Sequence, residues 1–340
     1  MNSPVRVVVV DDSASMRMAL NRILSADPEI EVVGLAPEPH AARGMIKDLN
    51  PDVVTLDVEM PGMDGLSFLE KIMRLRPMPV VMCSTLTARG TEVTIEALRL
   101  GAVDCIAKPS GGPMEIARDA ELLRTTVKAA GRSRVRQSGP ASLARPVAAG
   151  SKFRDGLIAI GSSTGGVEAL FSVIASLPSD CPPVLIVQHM PAGFTRGFAA
   201  RLNSVCAVNV VEAVDGAPIE GGTVYIAPGG ERHLELSPGQ MRIRLRAADL
   251  VGGHRPSVDV LFHSVARLGA SAVGVILTGM GADGAEGLLA MRRAGARTLG
   301  QNQETCVVYG MPRAAFEVGA VERQLGLSAM PEAILAACRV

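Results

Sequence analysis

The amino-acid sequence predicts an α/β chain of two doubly wound, parallel-sheet domains joined by a polar linker. Short β-branched runs alternate with stretches of helical apolar spacing. The runs are apolar almost throughout, as in strands covered by helices on both faces. The alternation breaks once, between Lys128 and Arg154, and then resumes.

The first series of strands reads "VRVVVV", "EVVGL", "DVVTL", "PVVMC" and "DCIAK", with helical patterns between them. The break, "KAAGRSRVRQSGPASLARPVAAGSKFR", is rich in Gly, Ser, Ala, Pro and Arg and has no acidic residue. Such composition reads as an interdomain spacer. The second series comprises "LIAI", "PVLIVQ", "VNVVEA", "TVYIAP" and "AVGVILT", interleaved with helical segments such as "SVDVLFHSVARL". From about Ala213 to Leu245, Gly and Pro punctuate short alternating runs, a pattern expected of an antiparallel β insertion.

Composition removes several function classes. The 340 residues carry 34 Lys plus Arg against 34 Asp plus Glu, so no net field draws the chain to nucleic acid or to an anionic membrane. Trp is absent, Tyr is scarce, and no basic recognition helix appears in the second half. Six cysteines are scattered without a Cys-x-x-Cys pair, which suits reduced thiols and neither zinc nor disulfides. No signal peptide and no run of roughly 20 apolar residues is present, so a cytoplasmic protein without membrane insertion is expected.

Asp11 and Asp12 follow the first strand, and Asp57 ends the third. The strand ends of a doubly wound sheet form its binding crevice, so these carboxylates are expected to converge. Converging carboxylates repel unless a cation joins them, and Mg2+ suits the oxygen donors. Ser84 closes the fourth strand and Lys108 the fifth, where a hydroxyl and an ammonium suit the oxygens of a phosphoryl group on Asp57.

The segment from Val5 to about Ala130, with its "DD", "DVEMPGMDG", "S" and "KP" in order, resembles the receiver domain of two-component response regulators. The resemblance implies a flavodoxin-like (βα)5 fold. It makes Asp57 the phospho-acceptor, gives the Mg2+ site to Asp11, Asp12, Asp57 and the Glu59 carbonyl, and assigns Ser84 as switch hydroxyl and Lys108 as phosphate-binding lysine. Cys105 stands where receivers often carry an aromatic residue, a departure from the usual rotamer switch.

The loop "GSSTGG" between Ile160 and the helical "VEALFSVIASL" suits either a phosphate or a nucleophile. It lacks both the G-x-G-x-x-G spacing and a following Gly-Lys-Ser/Thr, which disfavours a nucleotide enzyme. It does match G-x-S-x-G through Gly161, Ser163 and Gly165. A serine nucleophile needs a base. Of the five histidines, His189 in "VLIVQHMP" lies just past a buried-strand pattern and can share the sheet edge with Ser163. Asp283 in "LTGMGADGAEG" follows another apolar strand and can orient the imidazole, a role compatible with capping the helix that follows it. The chain order Ser, His, Asp differs from that of the α/β-hydrolases, so a triad built separately on a Rossmann-like sheet is expected.

Together "IAIGSSTGG", "QHMP", "YIAPGG", "HRPSVDVLF" and "LTGMGADGAEG" resemble the catalytic domain of the chemotaxis protein-glutamate methylesterases, the CheB family. The resemblance implies a receiver at 1–127, a linker at 128–152 and a catalytic domain at 153–340, a doubly wound Rossmann-like parallel sheet with a β insertion. It makes Ser163 the nucleophile, His189 the general base and acid, and Asp283 the orienting carboxylate, with amides at Thr164 and Met280 as oxyanion candidates. It also implies glutamate methyl esters of chemoreceptors as substrate, glutamine deamidation as second activity, a chemotaxis histidine kinase as phosphodonor, and an ester hydrolysis that needs no metal. An unphosphorylated receiver is expected to cover the Ser163 cleft until Asp57 is phosphorylated.

Overall fold

The computed structural model describes residues 3–60, 63–84, 88–110, 112–133, 153 and 156–339, and the chain divides into two compact units. The first contains β1 (Val5–Val10), α1 (Ala14–Ser25), β2 (Ile30–Ala36), α2 (Pro39–Leu49), β3 (Val53–Asp57), α3 (Gly65–Leu75), β4 (Val80–Ser84), α4 (Ala88–Arg99), β5 (Asp104–Ala107) and α5 (Pro113–Gly131). Its five strands are parallel in the order β2-β1-β3-β4-β5. The three central strands, rich in valine, bury every residue except Arg6, which is half-buried.

Local chemistry fixes the helix starts. The Ser13 hydroxyl accepts from the Met16 amide and opens α1, and the Asp64 carboxylate accepts from the Ser67 amide and opens α3. Gly65 packs directly on the end of β3. A Cβ there would stand 2.1 Å from the Asp57 carbonyl oxygen. Gly65→Ala is therefore expected to destabilise this unit by about 1–3 kcal/mol, the usual cost of overpacking, read as a lower unfolding midpoint.

Helix α5 runs through Lys128 to Gly131, so the structure corrects the expected linker start at 128. Ala130 is buried, Lys128 Nζ lies 2.7 Å from Asp27 Oδ2 and 3.0 Å from Glu29 Oε2, and Arg132 reaches Glu29 at 2.7 Å. These contacts hold the last turn against the sheet edge, which composition alone does not reveal. The rest of the expected linker, 134–152, lies outside the described residues.

The second unit contains β6 (Leu157–Ser162), α6 (Gly166–Ile174), β7 (Val184–Gln188), α7 (Phe194–Asn203), β8 (Asn209–Glu212), β9 (Thr223–Ile226), β10 (Arg232–Leu236), β11 (Ile243–Ala247), α8 (Val258–Ala266), β12 (Ala272–Ile276), α9 (Ala285–Arg293), β13 (Arg297–Gln301), α10 (Met311–Glu317), β14 (Arg323–Leu325) and α11 (Met330–Cys338). Seven parallel strands form its sheet in the order β14-β13-β12-β6-β7-β9-β8. The chain enters at β6, winds outward to one side, and returns to β12 on the other. The switch point, where a doubly wound sheet opens its crevice, therefore lies between β6 and β12.

The expected insertion from about Ala213 to Leu245 is corrected to a shorter feature. Within it the antiparallel pairing is the hairpin of β10 and β11 with one flanking bridge between Pro218 and Arg242, whereas β9 is a parallel strand of the main sheet. All four residues of β9 are buried, which marks a strand covered on both faces rather than a half-exposed hairpin. The Gly- and Pro-rich turns around it obscure that distinction in the sequence.

Candidate active site

The end of β6 is built for close approach. A Cβ on Gly161 would lie 2.2 Å from Val258 Cγ1, and one on Gly166 would lie 2.2 Å from Gln188 Oε1. Gly165 has φ +75° and opens α6, a left-handed conformation that favours glycine. These glycines let the Ser163 loop turn sharply from strand to helix against its neighbours.

Ser162 and Gln188 are register partners on β6 and β7, so Ser163 and His189 occupy the next position on adjacent strands. The His189 amide donates to the Ser162 carbonyl at 3.0 Å, and the Ser163 amide donates to the Thr278 carbonyl at 3.0 Å. Thr278 follows β12, and Asp283 lies in the loop beyond it. Three neighbouring strand ends thus deliver Ser163, His189 and Asp283 to one edge of the sheet.

His189 Nε2 lies 2.8 Å from Asp283 Oδ2. Asp283 Oδ2 also accepts from the Val258 amide at 2.7 Å, and Oδ1 accepts from the Ser257 hydroxyl at 2.7 Å and the Asp259 amide at 3.0 Å. The carboxylate therefore sits on the N-terminus of α8, where free amides and the helix dipole favour negative charge. It does not cap α9, the helix that follows it; that position is Gly284. Burial opposes the charge on Asp283, but the hydrogen bond and attraction from His189, with the Asp259 and Val258 amides, outweigh it and hold the carboxyl well below the usual range.

His189 Nδ1 is buried and has no hydrogen-bond partner, so Ser163 does not bond to it in this structure. With Nε2 committed to a carboxylate, Nδ1 is the ring atom left to accept a proton. The amides of Thr164 and Met280 likewise have no hydrogen-bond partner among the described residues.

Sequence reasoning missed the residues that brace this edge. Gln188 accepts from the Ser162 hydroxyl at 2.6 Å and donates to the Ser163 carbonyl at 2.9 Å and the His189 carbonyl at 3.0 Å. The Thr278 hydroxyl donates to the Thr164 carbonyl at 3.0 Å, and the Thr278 amide donates to Gln301 Oε1 at 2.8 Å. One signal was available: Gln188 closes the buried apolar strand "VLIVQ", where an uncharged polar group needs a partner. Among the other histidines, His40 and His263 are exposed on helices, His233 is buried and accepts from the Ser257 amide at 3.1 Å, and His254 lies against His189.

In the first unit, the switch point between β1 and β3 gathers Asp11, Asp12 and Asp57, whose carboxylate oxygens lie within 4.8 Å of one another. Lys108 Nζ is 2.8 Å from both Asp11 Oδ2 and Asp57 Oδ2. Three carboxylates against one ammonium leave two negative charges uncompensated. Asp11 Oδ2 is buried and has this ion pair but no hydrogen bond. That uncompensated charge and the all-oxygen donor set fit a hard divalent cation. Burial raises the Asp57 carboxyl above its ordinary value, with Lys108 opposing. Lys108 is itself raised because its bonds to the two aspartates outweigh burial. Ser84 ends β4 and is buried; the Glu59 side chain is exposed, while its amide lies 3.4 Å from Asp57 Oδ1. Cys105 is buried in β5, and burial pushes its thiol well up.

Residues 158–334 match the CheB methylesterase family. The chain belongs to the CheB family. Residues 7–118 match the response regulator receiver domain. Two CheB-type relatives span nearly the whole chain, both named protein-glutamate methylesterase/protein-glutamine glutaminase 1. That of Caulobacter vibrioides is 59% identical, covering 97% of this chain and 97% of its own, and that of Rhizobium johnstonii is 58% identical, covering 98% and 97%. The crystal structure of the Thermotoga maritima CheB methylesterase catalytic domain is 37% identical, with a TM-score of 0.52, covering 54% of this chain and 98% of that one. Among the described residues of this CheB-family chain, no helix is long and apolar enough to cross a membrane.

Proposed function

We propose that the chain is a phosphorylation-regulated protein-glutamate methylesterase of the cytoplasm, acting on glutamate γ-methyl esters of chemoreceptors, with Ser163, His189 and Asp283 as its catalytic triad. The observation that carries the site is the His189–Asp283 pair, which leaves a buried, unpartnered Nδ1 beside the strand end that presents Ser163. Ser163 Oγ attacks the ester carbonyl while His189 Nδ1 takes its proton. The tetrahedral intermediate collapses, methanol leaves with the proton from His189, and the acyl group stays on Ser163. Water then gives a proton to His189 and attacks the acyl carbon; collapse returns that proton to Ser163 and releases the glutamic acid side chain, which loses its remaining proton to solvent. The Thr164 and Met280 amides suit the developing oxyanion, where one donor contributes about 10²–10³ in rate. The same steps with ammonia as leaving group deamidate a receptor glutamine.

In the receiver unit, Asp57 is the phospho-acceptor and Lys108 and Ser84 bind the phosphoryl oxygens. Asp11, Asp12, Asp57 and the Glu59 carbonyl would hold Mg2+, which when bound neutralises charge on the entering phosphoryl group. A chemotaxis histidine kinase is the expected donor. The experiment is methanol release from radiomethylated receptor membranes, with and without Mg2+ and a small phosphoryl donor. The donor is expected to raise release by the intact chain and to leave Asp57→Asn unchanged. A full rise in Asp57→Asn would remove Asp57 from the regulatory role.

A further inference from the structure

We infer that His254 is a positioning residue for this hydrolysis: stacked face to face on His189, it fixes the plane in which His189 presents Nδ1 to Ser163. The inference rests on His189 as the proton carrier.

A single hydrogen bond, from Nε2 to Asp283, does not fix an imidazole, because the ring can still swing about that bond and its outer torsion is soft. Nδ1 provides no second tether. The ring of His254 supplies what is missing. Its centroid is 3.9 Å from that of His189, and the two planes are 5° from parallel. Neither nitrogen of His254 has a hydrogen-bond partner among the described residues, so its part is played by the ring face.

His254 is itself held firmly. Its amide donates to the Val251 carbonyl at 3.0 Å and its carbonyl accepts from the Val251 amide at 3.1 Å. The turn this closes runs through Gly252 and Gly253 at φ +59° and +84°, values that L side chains avoid. The next residue, Arg255, donates to the Gly230 carbonyl at 3.0 Å and the Ala248 carbonyl at 2.7 Å. Ser257 and Val258 then bind Asp283. One short stretch, His254 to Val258, therefore holds both the face of His189 and the carboxylate its edge binds.

Charge agrees with this role. His189 becomes cationic in each proton transfer, and a second cation stacked on it would oppose that step. Burial, and then the neighbouring His189, lower His254 to about 4 against the opposing pull of Asp283, so its ring is neutral at neutral pH.

The test is methanol release by the full chain over a range of methylated-receptor concentrations, with unfolding midpoints measured in parallel. His254→Ala and His254→Gln are expected to lower kcat by about 10–100-fold with KM nearly unchanged, the scale of a misplaced catalytic group. His254→Phe, which restores a flat neutral ring, is expected to recover most of the loss. If the Ala chain fails to fold, Gln against Phe carries the same contrast. Wild-type kcat in His254→Gln, or His254→Phe as slow as His254→Gln at equal midpoint, would overturn the inference. An inactive Ser163→Ala beside an unimpaired His254→Gln would sink this inference alone, whereas an active Ser163→Ala would sink the serine chemistry on which it rests.

Discussion

Ser163→Ala is expected to cut methanol release by about 10⁴-fold or more, the range found when a serine nucleophile is removed from a triad. The loss should appear without unfolding. Ser163 is tied to the sheet by its backbone, through the amide bond to the Thr278 carbonyl and the carbonyl bond from Gln188, and alanine keeps both. The unfolding free energy should stay within about 0.5 kcal/mol of wild type, as for substitutions that remove no buried bond. Radiolabelled methanol and a thermal melt on the same sample separate the two effects. Substantial release by the variant would exclude acyl transfer through Ser163.

Asp283→Asn is expected to lower kcat by about 10³–10⁴-fold and also to destabilise the second unit, because this carboxylate serves two structures at once. It accepts four hydrogen bonds, two on each oxygen, from Ser257, Asp259, Val258 and His189. An amide has one acceptor oxygen and one NH2 group, so either orientation turns the NH2 toward a backbone N–H. If it faces Val258, it also faces His189 and forces the proton onto Nδ1, where Ser163 must deliver its own. If it faces Asp259, an α8 amide loses its partner at a cost of about 1–3 kcal/mol. The stability loss depends on pH. Because the folded carboxyl lies below its unfolded value, its contribution is present above about pH 4 and is lost as pH falls toward the folded pKa. The gap in midpoint between wild type and Asp283→Asn should therefore narrow on acidification, as thermal melts at several pH values would record.

Much of this organisation was legible in the sequence because it depends on local patterns. The strand ends carrying Asp11, Asp57, Ser163 and His189 are set by where apolar runs stop, and a parallel sheet brings such ends together. What stayed hidden depends on contacts between distant segments. Asp283 looks like a cap for its own following helix, yet it caps α8, which lies earlier in the chain. His254 lies in a Gly-rich turn with no periodicity to mark it, and its stacking on His189 accompanies the packing of α8 on both the hairpin strand β10 and β7. The end of α5 is fixed by ion pairs to Asp27 and Glu29, about a hundred residues away in sequence. β9 read as part of an insertion because burial on both faces, not its flanking turns, decides its sheet.

The central claim, acyl transfer through an activated Ser163, is tested most directly by titrating the full chain with a fluorophosphonate and mapping the adduct by mass spectrometry while following methanol release. One adduct per chain on Ser163, with activity falling in proportion to its occupancy, is the expected result. Full release from chains labelled at Ser163, or inactivation with the adduct elsewhere, would contradict it.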